Sequence, residues 1–157
     1  MAYVIAVCVS NAKGIVKTPV PEISLKAGYG IVGDAHAGEV HRQVSLLAVE
    51  SADKLRSKIP NIKAGVFAEN ILTSGICLYE LPIGAKLHIG ETVLEVTQVG
   101  KECHNAGCAI QQQTGECVMP REGVFASVLQ GGTIKPGDEI RYKSDLPVIA
   151  ASEPQSP

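Results

Sequence analysis

Apolar and polar residues alternate most clearly at Leu94-Glu95-Val96-Thr97, within a run from Thr92 to Val99. A period of two marks a strand with one buried face. Lys86 to Ile89 precedes it, and the intervening Gly90-Glu91 predicts a hairpin with glycine at the first turn position. Tyr3 to Val9 is rich in β-branched residues and reads as a buried strand, as does Gln43 to Val49. Asn11 to Pro21 reads as a loop with room for a short ribbon. The run Val66-Phe67-Ala68-Glu69-Asn70-Ile71-Leu72 reads as a strand interrupted by two polar residues. Pro136-Gly137-Asp138 turns into a last strand, Glu139 to Tyr142. Leu81-Pro82-Ile83-Gly84-Ala85-Lys86-Leu87 echoes Ile134-Lys135-Pro136-Gly137-Asp138-Glu139-Ile140, each a turn followed by a strand.

Three segments carry a helical signal instead. Ser51 to Lys58 has Ser51 as its N-cap, Leu55 and Ile59 inward, and Pro60 as its stop. Val124, Phe125, Val128 and Leu129 share one face of a helix over Gly123 to Gln130, with Gly131-Gly132 as its C-terminal cap. Ala109 to Gln113 is a single turn ending at Gly115. Six or more short strands with short helices predict a mainly β, barrel-like fold.

The 157 residues suit one domain, expected over 1–143, followed by a loose tail over 144–157 that holds three prolines. A net charge of −2 argues against duplex binding, which needs a basic stripe, and 4% aromatics with no Trp argue against base stacking. No apolar run approaches the roughly 20 residues that span a bilayer, and the start lacks the basic flank of a signal peptide. The expectation is a soluble cytoplasmic protein with neither nucleic-acid nor membrane partners.

In a reducing cytosol the five cysteines are expected as thiols, metal ligands or reactive groups. Cys8 and Cys77 lie in apolar stretches and read as small hydrophobes. Cys103, Cys108 and Cys117 fall within fifteen residues, beside His104. Cys103 follows a strong strand directly, and Lys101 and His104 favour its thiolate, the form that attacks, carries sulfur or binds metal. The three as plain loop thiols, or as a structural zinc site, are the alternatives; Cys-x4-Cys-x8-Cys is looser than the usual paired zinc spacing.

Three further patches carry chemistry. Gly30-Ile31-Val32-Gly33-Asp34-Ala35-His36-Ala37-Gly38 is either a rim that positions a polar ligand or a surface turn in which Asp34 caps its own backbone. It lacks the Gly-Lys-Ser/Thr ending of a phosphate-binding P-loop. His41-Arg42-Gln43 opens a buried strand, where Arg42 forks onto a carboxylate or phosphate or is simply solvated. Glu69-Asn70 inside an apolar run either pins neighbouring loops, the favoured reading, or faces a cavity.

In their order and spacing these motifs resemble the MOSC family, named for the C-terminal domain of molybdenum cofactor sulfurases. The pieces are Gly33-Asp34-x-His36-x-Gly38, Arg42-Gln43-Val44, Gly65-x-Phe67-x-Glu69-Asn70, Gly75-Ile76, Gly84-x-x-Leu87-x-Ile89-Gly90, Gly100-Lys101-x-Cys103, and Gly123 to Val128 with Gly131-Gly132. The resemblance implies a β-barrel-like domain that binds the molybdenum cofactor (molybdopterin) or carries its sulfur as a persulfide. Cys103 matches the family's sulfur-carrying or molybdenum-ligating cysteine. Asp34 and His36 match a motif lining the pocket, and Arg42 and Asn70 are candidates for the cofactor's phosphate or pterin. Cys108 and Cys117 exceed the single-cysteine pattern, as accessory thiols or extra ligands. No pyridoxal phosphate of its own is expected, and a cysteine desulfurase or a molybdoenzyme is the implied partner. Two other readings stay open: a zinc or iron–sulfur module built on Cys103, Cys108 and Cys117, and a stand-alone molybdenum-dependent reductase of N-hydroxylated compounds. Whether the protein is an enzyme, as sulfurtransferase or reductase, is left undecided.

Overall fold

Residues 2–12, 15–39, 42–53, 64–65, 67–100 and 122–143 are described by a computed structural model. The Val- and Ile-rich start forms β1 (Ala2–Val9), followed by the short strands β2 (Thr18–Val20), β3 (Ile23–Lys26) and β4 (Gly30–Ile31). Then come β5 (Val44–Ala48), helix α1 (Val49–Ala52) and β6 (Ile71–Ser74). The predicted hairpin is present as β7 (Lys86–Ile89) and β8 (Thr92–Val99), turning at Gly90, φ +57°. The chain continues as β9 (Val124–Gln130), β10 (Gly132–Ile134) and β11 (Glu139–Lys143).

The strand order β11-β7-β8-β9-β5-β6-β1, with β1 pairing back onto β11, closes a seven-stranded barrel and leaves no open edge between its members. β2 adds to β1 from outside, while β10, β3 and β4 make a second small sheet. β5 and β6 run parallel, and the other described ladders are antiparallel. The two echoed turns match in structure. Gly84 and Gly137 both take φ +95°, and the strands that follow, β7 and β11, pair with each other.

Every second residue of the barrel strands fills its interior: Val44, Leu46 and Ala48 from β5, Leu94 and Val96 from β8, Val124, Ala126 and Val128 from β9. β5 is buried on its outer face too, through Ser45 and Leu47, because loops cover it there. That outer layer holds the polar cluster described below.

Three expectations are corrected. Gly123 to Gln130 is not a helix but the central strand β9, between β5 and β8. A short apolar run satisfies either period, and pairing on both sides decides for the strand. Gly131 and Gly132 therefore cap nothing. A β-carbon on Gly131 would crowd the Leu25 carbonyl, so glycine there permits close approach to β3. The helix near Ser51 starts earlier, at Val49 after Ala48, so Ser51 lies inside it, buried, and is not its cap. Its expected continuation from residue 54 lies outside the described residues. Finally, the strand expected over 66–72 begins only at Ile71, since Ala68 turns left-handed at φ 65° and the Glu69 and Asn70 side chains take up backbone groups.

Thr73 of β6 is fully buried, and its hydroxyl has no hydrogen-bond partner among the described residues. An unmade buried hydrogen bond costs about 1–3 kcal/mol. Thr73→Val keeps the shape and is expected to stabilise the fold by about 1 kcal/mol, read as a higher urea midpoint at unchanged slope. A lower midpoint would show that the hydroxyl has a partner in solution.

Candidate functional site

Gly33, at φ +88°, turns the chain out of β4 and directs Asp34 inward. The carboxylate is 6% exposed and takes donors from three other parts of the chain. Its Oδ1 accepts from Ser10 N–H at 3.0 Å, from Lys17 Nζ at 2.9 Å and from Asn70 Nδ2 at 3.0 Å. Its Oδ2 accepts the His36 backbone N–H at 3.0 Å. Burial alone would raise the Asp34 pKa, but the hydrogen bonds from the Lys17 ammonium and from the His36 and Ser10 backbone N–H groups outweigh it and hold the carboxyl well below the usual carboxylate range. Of the two sequence readings of Asp34, the backbone cap is present through the His36 N–H, but at a buried position rather than in a surface turn.

Lys17 is 3% exposed, and its ammonium lies within hydrogen-bond distance of three groups: Asp34 Oδ1, Ser10 Oγ at 3.0 Å and His36 Nδ1 at 3.2 Å. Ser10 Oγ in turn donates to the Ala12 carbonyl. Sequence reasoning missed Lys17 and Ser10. A single lysine in a polar loop reads as solvated, and the signal that a cation was needed lay elsewhere, in a buried carboxylate.

Asn70 ties this cluster to the barrel. Its Nδ2 also donates to the Cys8 carbonyl at 2.9 Å, while its Oδ1 accepts from Ser45 N–H at 3.0 Å. Its own N–H donates to the Ser45 carbonyl at 2.9 Å. Glu69 Oε2 and Oε1 accept the N–H groups of Gly65 and Phe67, so the pair pins loops, as favoured. Burial raises the Glu69 pKa above its ordinary 4.5, against the pull of the Gly65 and Phe67 hydrogen bonds and the Lys17 charge. Gly65 accepts the Lys17 N–H through its carbonyl at φ +90°, and a β-carbon there would overlap the Lys17 carbonyl.

Arg42 stands apart from the cluster. Exposed, it donates from Nε to Gln98 Oε1 at 3.2 Å, with its guanidinium 5.5 Å over the Phe125 ring. Gln98 Nε2 holds the Gly100 carbonyl at 2.8 Å, and Gly100 N–H bonds Gly123 at 2.6 Å. Arg42 thus sits close to the described residues Gly100 and Gly123 on either side of positions 101–121. The His36 loop and the start of β5 meet at Gly30, where a β-carbon would touch Gln43 and Ala37.

The structure therefore brings Asp34, His36 and Asn70 together and places Arg42 against β8 and β9. Cys103, Cys108 and Cys117, with Lys101 and His104, lie outside the described residues, as do the turn over 109–113 and the tail. Cys8 is buried, and its thiol is pushed up to about 12 by burial and the Glu69 charge, against Lys17, which fits an inert hydrophobe. Cys77 departs from that reading. It is exposed, because Leu78 takes the buried position in the short 3-10 turn Leu78–Glu80. Among the described residues no group of three or more His, Cys, Asp or Glu is placed to hold a metal ion. No described helix is long and apolar enough to cross a membrane.

Because Asp34 titrates below its unfolded value of 3.8, its ionised form stabilises the fold fully above that pH, and this contribution drains away as pH falls further. Glu69, with its pKa raised, acts in the opposite sense and favours the fold as pH falls toward its native value. Asp34→Asn leaves the Lys17 ammonium buried without its hydrogen-bonded counter-charge and is expected to cost about 3–5 kcal/mol at neutral pH. The gap to wild type should narrow below about pH 4, in denaturation series across pH; a constant gap would mean that Asp34 titrates normally. Gly65→Ala meets both strain and overlap and is expected to cost at least about 2 kcal/mol by the same measurement. A loss under about 0.5 kcal/mol would show that the loop relaxes freely.

A family model described as the MOSC domain matches residues 33–141. No curated protein matches the sequence. Among solved structures, the YUAD protein of Bacillus subtilis superposes with a TM-score of 0.76 at 20% identity, covering 93% of this chain and 98% of that one. YiiM from Geobacillus stearothermophilus gives 0.70 at 20% identity, over 92% and 76% of the two chains. YiiM from Escherichia coli gives 0.64 at 21% identity, over 93% and 71%. At such identities these neighbours establish a shared fold, and the family model establishes the rest: the chain belongs to the MOSC domain family, a family related to the molybdenum cofactor.

Proposed function

We propose that this domain binds the molybdenum cofactor or carries sulfur destined for it, with Cys103 as the sulfur-carrying or metal-ligating thiolate. The observation that supports this most is the anchoring of Arg42 through Gln98 to Gly100, three residues before Cys103. A guanidinium fixed there by one of its donors keeps the others for an anionic, oxygen-rich guest such as a pterin phosphate. His36 supplies a second polar group, its side chain 20% exposed at the edge of the cluster. Asp34 and Asn70 have their polar atoms engaged within the protein, so their part is to position His36 and the loops.

The donor set fits such a cofactor's anionic groups. Its metal would be held by its own dithiolene and by Cys103, a soft ligand for a soft metal–sulfur centre. When bound, the cofactor supplies redox and sulfur-transfer chemistry at molybdenum. The Cys103 thiolate would attack the outer sulfur of a cysteine desulfurase's persulfide, releasing the desulfurase thiolate, and would pass that sulfur on toward a molybdoenzyme as its own thiolate is released.

Protein purified without oxygen is the sample that tests this, by pterin fluorescence, metal content and intact mass. Wild type is expected to carry pterin, or one added sulfur atom on Cys103, and Cys103→Ala to carry neither added sulfur nor molybdenum. Arg42→Ala should weaken pterin binding about ten- to hundredfold, the scale of one charge-assisted contact. Stoichiometric zinc with no pterin and no added sulfur would overturn the reading in favour of a Cys103, Cys108 and Cys117 metal site. Turnover of N-hydroxylated compounds with an external electron donor would replace the carrier by a reductase.

A further inference from the structure

Lys17 lies before the stretch matched by the family model, yet its ammonium is the innermost contact of the one cluster side chain that reaches the surface. An ammonium has no lone pair, so at 3.2 Å from His36 Nδ1 it can only donate. A ring that takes this bond has Nδ1 bare and its proton on Nε2. The competing partner for Nδ1 is Asp34 Oδ2, which is farther away at 3.5 Å and already accepts the His36 backbone N–H. Lys17 cannot swing away, because its side chain is fully buried, its other two N–H bonds are taken by Asp34 and Ser10, and its backbone is fastened to Gly65.

We propose that Lys17 is a positioning residue that fixes His36 as the neutral Nε2–H tautomer, so that His36 presents a hydrogen-bond donor to an oxyanion and no free lone pair to a metal ion. A ring set this way selects acceptors such as phosphate or oxo oxygens. This deepens the function proposed above and rests on that reading only for the identity of the guest. The tautomer itself requires no guest.

Long-range proton–nitrogen NMR on the full-length, nitrogen-15-labelled protein above neutral pH reads the tautomer directly. His36→Gln identifies the His36 signals among those of the four histidines. The expected wild-type pattern is a single tautomer with bare Nδ1 and protonated Nε2, and addition of inorganic phosphate should shift the Nε2–H signal. In Lys17→Met, Asp34 loses its nearest donor, and Nδ1 is expected to take up a proton and turn to the carboxylate. Lys17→Arg, which keeps a charged donor, should restore the bare Nδ1. A wild-type ring that carries its proton on Nδ1, or mixes both tautomers, would overturn the proposal even if Lys17→Met fails to fold. An unchanged pattern in a folded Lys17→Met would overturn the role of Lys17. Loss of pterin binding with the tautomer intact would count against the proposed function alone.

Discussion

One carboxylate sets the arrangement of the outer layer. Asp34 is removed from water and yet ionised, a state that lasts only while donors replace its hydration. Those donors come from the end of β1, the loop before β2, the residue before β6 and the backbone two positions on. None of these segments can shift without uncovering a buried charge. A buried ion pair adds little net stability against an apolar substitute, but removing one partner is expensive, so its effect here is to enforce a single geometry.

The barrel makes this possible by leaving one wall to be covered. Its interior is apolar and needs nothing from the loops. The outer faces of β5 and β9 are different: Ser45 and Phe125 pair in register there and are buried as completely as the residues inside. Ser45 receives Asn70, and Phe125 lies beneath the Arg42 guanidinium. A polar residue and an aromatic ring on one sheet face thus organise the two parts of the candidate site, which meet at Gly30. The site is built on the outside of the barrel wall rather than in its lumen, which side chains fill.

How much of this was legible depends on the range of the interaction. The β7–β8 hairpin was readable because alternation and a turn glycine act within a dozen residues. Gly123 to Gln130 was misread because its spacing fits a helix locally, and only the neighbours β5 and β8, distant in sequence, decide otherwise. Asp34, His36 and Asn70 announced themselves as polar residues where glycine or apolar runs surround them. Lys17 gave no such sign, since nothing within its own loop says that the partner is seventeen residues away. Ser51 was a reasonable cap on local grounds, but the helix is entered directly from β5 at Ala48, which placed it one turn early.

Neighbours at about 20% identity share the barrel, and a shared barrel says little about chemistry. The distinction that matters lies within this chain. Residues with every polar side-chain atom engaged within the protein, Asp34 and Asn70, serve first to hold the loops, however well they match a motif. Residues engaged on one side only, His36 through Nδ1 and Arg42 through Nε, keep directed donors on the other. Burial and hydrogen-bond saturation therefore divide the matched motif into a supporting set and a presenting set. The supporting set dictates what the presenting set offers: with the tautomer proposed above, a cation stands behind His36 and an amide behind Arg42, so both face outward as donors, a pair suited to an anionic hydrogen-bond acceptor.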